Sequence, residues 1–318
     1  QTYLAIDGNE AAIRGFSSNL PIVVLETFGR AVTDRAYTPV NAVIIDPAAG
    51  RSTMKGAPNF SGTAAIKVHG SSSLQSPKKS FNLEIRDDEG DGRKVSLFGF
   101  PKESDWVLYA PYIDKALMRD VISYDWSNAI GRYAVRTRFV EAFVHVGQGK
   151  LSYADSYQGV YVLMEKIKRD NGRVDIKELY PSQKSEPEIT GGYLLKRDFR
   201  DPGDSGFSTR YVEMLAYVDP KEKEAPAAQR AWIRNYLIQF ELALFGPGFT
   251  DPENGYAKFI DVDSFIDHHI LVELTKNIDG FRLSTFMFKD QGGKLNMGPI
   301  WDYDKTLGHT IPYGWAYN

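Results

Sequence analysis

Two acidic stretches in the last quarter of the chain carry residue types suited to metal or phosphate chemistry. They are Asp279 in NIDGF (residues 277–281), and Asp302 with Asp304 in GPIWDYDKTLG (residues 298–308). Between them, STFMFK (284–289) is rich in β-formers, Gly292-Gly293 supplies a turn able to take positive φ, and residues 294–301 return as a second strand. Folding the chain about that turn places position 302 opposite position 283, a few residues from Asp279. Carboxylates brought to one foot of one hairpin repel unless a cation lies between them, and hard oxygen ligands suit Mg²⁺ or Mn²⁺ better than zinc. A divalent-metal site is the first expectation. The other is an Asp-Gly turn followed by solvated loop acids.

A second stretch offers phosphate chemistry. GSSSLQSP (70–77) separates two strand-like segments, and Lys79 follows it. Backbone N–H groups and the hydroxyls of Ser71, Ser72 and Ser73 can wrap phosphates while an ammonium neutralises charge. In KSFNLEIR (79–86), alternation puts Phe81, Leu83 and Ile85 on one face with Lys79, and Lys78 on the other. An inward ammonium needs an anionic partner, and Asp120 and Asp125 of a following helix are candidates unless they are plain surface acids.

The remaining elements must position these groups. Residues 21–27, 43–46, 63–69, 105–109, 138–146, 159–168 and 192–195 read as strands. Asp114 reads as the N-cap of a helix whose apolar stripe, Leu117 to Ile130, faces the core. Residues 226–245 and 261–274 read as two further helices. His145 in a strand, and the His269/Glu273 pair, are expected to be structural rather than metal ligands. Turn-rich segments at 170–172 and 181–187 mark a junction, which suggests an N-lobe over 1–168 and a C-lobe over 169–318.

Composition bounds the function. A net charge of −3 and a pI near 6.0 give no reason to expect a general nucleic-acid binder. The absence of cysteine excludes disulfides and thiolate chemistry. No apolar run approaches the ~20 residues that span a bilayer, so no transmembrane segment is expected.

Strands with a Gly/Ser loop and an inward lysine, then helices and an acidic hairpin, follow the layout of protein kinases. The sequence also resembles the CotH spore-coat kinases and their CotH-like bacterial relatives. HGSSS (69–73), PKKSFNLEI (77–85), YQGVYVLMEKIKR (157–169), GGYLLKRD (191–198), NIDGF (277–281) and GPIWDYDKTLG (298–308) carry the resemblance in family order, over most of the chain. It implies an α+β, two-lobed atypical protein-kinase-like fold with a strand-rich N-lobe and a more helical C-lobe. It implies a secreted, cell-surface or spore-surface enzyme using ATP with Mg²⁺ or Mn²⁺ to phosphorylate Ser or Thr of a protein. By that analogy Lys79 contacts phosphate, Asp279 is the catalytic base, Asp302 holds metal with Asp304 as the alternative, and Glu165 lies near the nucleotide. Ser284 stands where the kinase pattern has a metal-binding Asn. That departure favours an alternative, a catalytically silent surface or assembly module; a third reading keeps the enzyme but changes the acceptor, to a glycan or to nucleotidyl transfer onto a protein, because acceptor choice resides in loops. Relatives continue with further helical sequence, so a longer second lobe is also expected.

Overall fold

The computed structural model describes residues 5–47, 50–70, 72–199 and 204–309. The chain folds as two compact units, residues 1–115 with 136–166, and residues 116–135 with 167–318.

The first unit is a closed seven-stranded barrel in the order β2 (Ile22–Glu26), β3 (Thr38–Ile45), β5 (Phe60–His69), β6 (Ser80–Ile85), β7 (Asp105–Tyr109), β9 (Tyr157–Glu165) and β8 (Thr137–His145). Closure comes from a parallel pairing of β2 with β8, which aligns Ile22 with Glu141. Strand alternation fills the interior with Val23, Leu25, Ile66, Leu83, Trp106, Val140 and Leu163. Outside, α1 (Ala11–Arg14) and the segments around α3 (Tyr153–Ser156) bury Ile22, Val24 and Val43 beneath Ile13 and Leu151. Strands β2 and β3 are therefore covered on both faces, which explains their continuous apolar runs. A short pair, β1 (Ser17–Ser18) with β4 (Ser52–Thr53), flanks them.

The second unit is built on a five-stranded antiparallel sheet ordered β11 (Gly206–Phe207), β12 (Leu215–Asp219), β10 (Tyr193–Arg197), β13 (Thr285–Lys289) and β14 (Leu295–Ile300). Helix α4 (Ala227–Leu244) packs Ile233 and Leu237 against Tyr193, Leu195, Leu215 and Met287 of this sheet. Helix α5 (Val262–Thr275) begins at Asp261, whose carboxylate accepts the Ser264 N–H at 2.7 Å as an N-cap does. Helix α2 (Arg119–Ala129) belongs to this unit as well.

The expected two-lobed kinase-like fold with a helical C-lobe is not what forms. The described residues carry more strand than helix, the first unit is a closed barrel, and the second rests on a sheet. Three pairings cause the difference. The β2–β8 pairing closes the barrel, and β10 joins the hairpin through β13 and takes β12 on its other edge, which widens the hairpin into a sheet. Helix α2 also departs from its expected start at Asp114. Leu117 has φ +64, a left-handed conformation that no helix continues through, so the helix starts only at Arg119.

Candidate functional site

The acidic hairpin forms as its residues dictate. Strands β13 and β14 pair Lys289 with Leu295, Met287 with Met297 and Thr285 with Ile300, with a bulge before the last pair. One step further, Ser284 donates its hydroxyl to Asp302 Oδ2 at 3.2 Å, within one residue of the expected register. Both residues leave the ladder in left-handed conformations, Ser284 at φ +51 and Asp302 at φ +63. Non-glycine residues held there concentrate at functional sites, where surrounding contacts over-determine the backbone.

Helix α2 provides those contacts. Its buried face is not the apolar stripe but Asp120, Ser123, Tyr124 and Ser127, while Trp126 and Ile130 are exposed. The two serines satisfy their own hydroxyls on the carbonyls of Arg119 and Arg132. The acid turn docks on that face. The Asp302 N–H donates to Tyr124 Oη at 3.1 Å, and the Tyr303 N–H donates to Asp120 Oδ1 at 2.6 Å. The Tyr124 ring stacks on Trp301 with centroids 6.2 Å apart. Beyond the turn, the Leu307 N–H reaches Thr275 O at the end of α5 at 2.6 Å. Tyr124→Phe removes the acceptor for the Asp302 N–H and leaves the ring stack. It also removes the hydroxyl that donates to Asp120, so it is expected to lower melting temperature by several degrees, each hydrogen bond being worth about 1 kcal/mol, and to weaken any divalent cation bound through Asp302 several-fold. Titration of Mn²⁺ by its paramagnetic relaxation checks this; unchanged Mn²⁺ affinity would show that the clamp does not set the geometry of Asp302.

The turn gathers negative charge. Asp120 and Asp304 are buried, and Asp302 stands two residues before Asp304. As a residue Asp302 still reaches solvent, so its carboxylate is crowded by protein rather than sealed off. That crowding, then Asp304, and to a smaller degree Asp198, push its pKa up to about 7, against the pull of Lys305 and the Ser284 hydroxyl. Burial followed by the charges of Asp304 and Asp302 raises Asp120, although the Tyr303 N–H and the Tyr124 hydroxyl stabilise its ionised form. Asp198 enters through sheet register. Arg197 pairs with Thr285, so the next residue of β10 adjoins Ser284. Among the described residues, no group of three or more Asp, Glu, His or Cys side chains is arranged to hold a metal ion by itself.

Asp279 lies in the loop that joins α5 to β13. Its N–H is taken by Asn277 Oδ1 at 3.0 Å, and its Oδ1 accepts from the exposed Arg282 guanidinium at 2.9 Å. The neighbouring Gly280 carbonyl accepts from Thr285 Oγ1 at 3.1 Å, which ties the loop to the first residue of β13. A Cβ on Gly280 would lie 2.7 Å from Val272, so glycine is needed for the loop to close on the helix.

The other candidates belong to the barrel unit. Lys79 donates to Leu74 O at 2.5 Å, so the anionic partner expected for it is replaced by a loop carbonyl, and Tyr161 Oη donates to the Lys79 carbonyl. Lys78 donates to Val160 O at 2.5 Å and lies 4.3 Å from the Tyr161 ring centre; burial lowers its pKa, opposed by Glu141. Ser73 forms part of the 3-10 turn Ser72–Gln75, in contact range of Gly70, while Ser71 and the Ser72 side chain lie outside the described residues. Glu165 is fully buried, and both its oxygens accept from Arg136, at 2.9 Å from the backbone N–H and the guanidinium. His145 meets Ser156 Oγ at 2.9 Å inside the fold, His269 packs on Phe281 and Glu273 pairs with Lys276. Reading the sequence did not assign Tyr124, Asp198 or His268 to a site, and it left Asp120 between two roles. The one available signal for the α2 pair was spacing, since residues four apart share a helix face.

Residues 66–317 match the model of a protein family described as CotH kinase protein, which is most of the chain. No curated protein matches the sequence.

Proposed function

Because the chain belongs to the CotH kinase family, we propose that it is an ATP-dependent phosphotransferase that passes the γ-phosphate to a Ser or Thr hydroxyl of a protein at the cell or spore surface. The observation that carries this reading is the left-handed acid turn, in which Asp302 and Asp304 crowd like charges on a frame built by α2. The donors of this cluster are all hard oxygens. The set fits Mg²⁺ or Mn²⁺, which protein sites take through one or two carboxylates plus substrate phosphates rather than through a complete protein cage. When bound, the cation neutralises charge on the phosphates.

The chain's own residues divide the remaining work. Asp302, with Asp304 beside it, is the carboxylate for the cation. Asp279 takes the proton of the acceptor hydroxyl as its oxygen bonds to the γ-phosphorus and the bond to the leaving ADP oxygen breaks. Lys79 is assigned to phosphate, and the Ser73 turn that precedes it to the phosphate-covering loop; Glu165, engaged by Arg136, shapes the region through that pair. Phosphoryl transfer asks for position and charge neutralisation rather than an unusual nucleophile, which suits this inventory.

One observation favours the second reading, a catalytically silent surface module. Ser284 offers a hydroxyl where the kinase pattern has a carboxamide, and that hydroxyl is already given to Asp302. Thermal melts with ATP, with and without Mg²⁺ or Mn²⁺, separate the two. At 100 times Kd a ligand adds about 2.7 kcal/mol of stability. A metal-dependent rise in melting temperature that disappears in Asp302→Ala is expected for the enzyme; no rise with any metal is the outcome expected of the silent module.

A further inference from the structure

Helix α5 is apolar on both sides, and one side is uncovered. Its inner face, Ser264, His268, Leu271, Val272 and Thr275, is buried, and His268 Nε2 donates to the Gly280 carbonyl at 2.8 Å, which holds the following loop to the helix. The outer face carries Ile266, Ile270 and Leu274, which stand four apart and so form one row, each about half exposed. The row continues past the helix end. Ile278 and Phe281 are 41% and 48% exposed, and the Phe281 ring lies 5.3 Å from that of His269 on the same helix. A helix that is apolar all round is one that packs on both sides, so this row calls for a cover.

The chain itself leads to the row. The Leu307 N–H donates to the carbonyl of Thr275, the last residue of α5, at 2.6 Å, and His309 closes the described residues two positions later. TIPYGWAYN (310–318) follows. It has no charged side chain, and Ile311, Tyr313, Trp315 and Tyr317 alternate, which in an extended chain sets all four on one side. Pro312 favours that extension, because the residue before a proline is driven to β or polyproline conformations. The repeats also match. Alternate side chains of an extended chain are about 6.7 Å apart, and residues four apart on a helix are about 6 Å apart along its axis. Nine extended residues span up to about 30 Å, enough for the row from Leu274 to Ile266, which is about 12 Å long.

We propose that residues 310–318 dock in extended form along the outer face of α5, running from Leu274 toward Ile266 with Ile311, Tyr313, Trp315 and Tyr317 turned to the row. Tethering makes the contact strong enough. A segment attached by a short linker meets its site at an effective concentration in the millimolar range, so apolar contacts that are weak between separate molecules suffice. One consequence rests on the phosphotransfer reading: Ile278 and Phe281 bracket Asp279, so docking covers surface beside the candidate base.

The test needs neither ATP nor metal, so its failure is separate from a failure of the phosphotransfer reading. The full chain is labelled with 5-fluorotryptophan, and the ¹⁹F resonance of Trp315 is identified by its loss in Trp315→Phe. In the wild type that resonance is expected well apart from its position in the free 310–318 peptide, with a smaller shift on moving from H₂O to D₂O, since a covered ring meets less solvent. Ile270→Asp puts a charge in the middle of the row at an exposed position, and is expected to return the resonance to the free-peptide position. A wild-type resonance at the free-peptide position, as a second copy or another partner on the row would leave it, overturns the proposal, and so does a resonance that Ile270→Asp leaves unmoved. The first comparison uses only the wild type and can overturn the proposal even where the variant fails to fold.

Discussion

Asp279→Asn is expected to reduce phosphotransfer by about 10²–10⁴-fold, the range a positioned general base contributes, with a change in melting temperature of no more than a few degrees. The two halves of that expectation have separate grounds. Catalytically, a carboxamide of the same shape cannot accept the proton of an acceptor hydroxyl. Structurally, the loop is held by groups the substitution leaves intact: the Asp279 N–H to Asn277, the Asp279 carbonyl receiving the N–H groups of Arg282 and Leu283, and the fit of Gly280 against Val272. The carboxylate itself meets Arg282, whose side chain is 64% exposed, and exposed pairs contribute about 0–1 kcal/mol. Transfer of labelled γ-phosphate, measured beside differential scanning calorimetry, checks both. Full transfer by Asp279→Asn removes Asp279 from the base role. A collapse in melting temperature would show instead that its carboxylate holds the loop.

The parts of this protein that were legible in its sequence are those whose information is local. Double glycine between two β-forming runs fixed the β13–β14 hairpin closely enough that Ser284 meets Asp302 one residue from the expected partner. Period and capping likewise marked α4 and α5. Long-range pairing had no local signal. Nothing near Ile22 announces that it lies beside Glu141, yet that parallel pairing turns the expected strand-rich lobe into a closed barrel. Helix α2 misleads for a different reason. Its apolar residues suggested a core stripe, but the face with buried partners is Asp120, Ser123, Tyr124 and Ser127, because the acid turn supplies donors and a ring that match polar side chains. Local pattern and observed burial disagree most at the element that touches the candidate site, as is expected where function overrides the rules of packing.

That conflict predicts a pH effect. In chelator, Asp302→Asn is expected to be more stable than the wild type at pH 7–8 and about equal to it near pH 4. The direction follows from the carboxyl's ordinary value of 3.8 and its folded value of about 7. Below pH 4 both folded and unfolded chains hold the proton, and the group contributes nothing. Between the two values the folded chain keeps a proton the unfolded chain has released, so stability falls as pH rises. Above pH 7 the folded state carries the full penalty of a crowded charge beside Asp304. Asp302 reaches solvent, so screening reduces that penalty to about 1–2 kcal/mol. The Asn side chain keeps the size and the hydrogen bond with Ser284, and it removes the charge. Melting curves from pH 4 to 8 in chelator are therefore expected to slope downward for the wild type and to be flatter for the variant; parallel curves would show that the carboxylates are not crowded. A chain that keeps a carboxylate whose ionisation destabilises its own fold, on a strained backbone braced by a buried helix face, gives up stability at that position. Such a loss is stable in evolution where a cation bound in the working state offsets it.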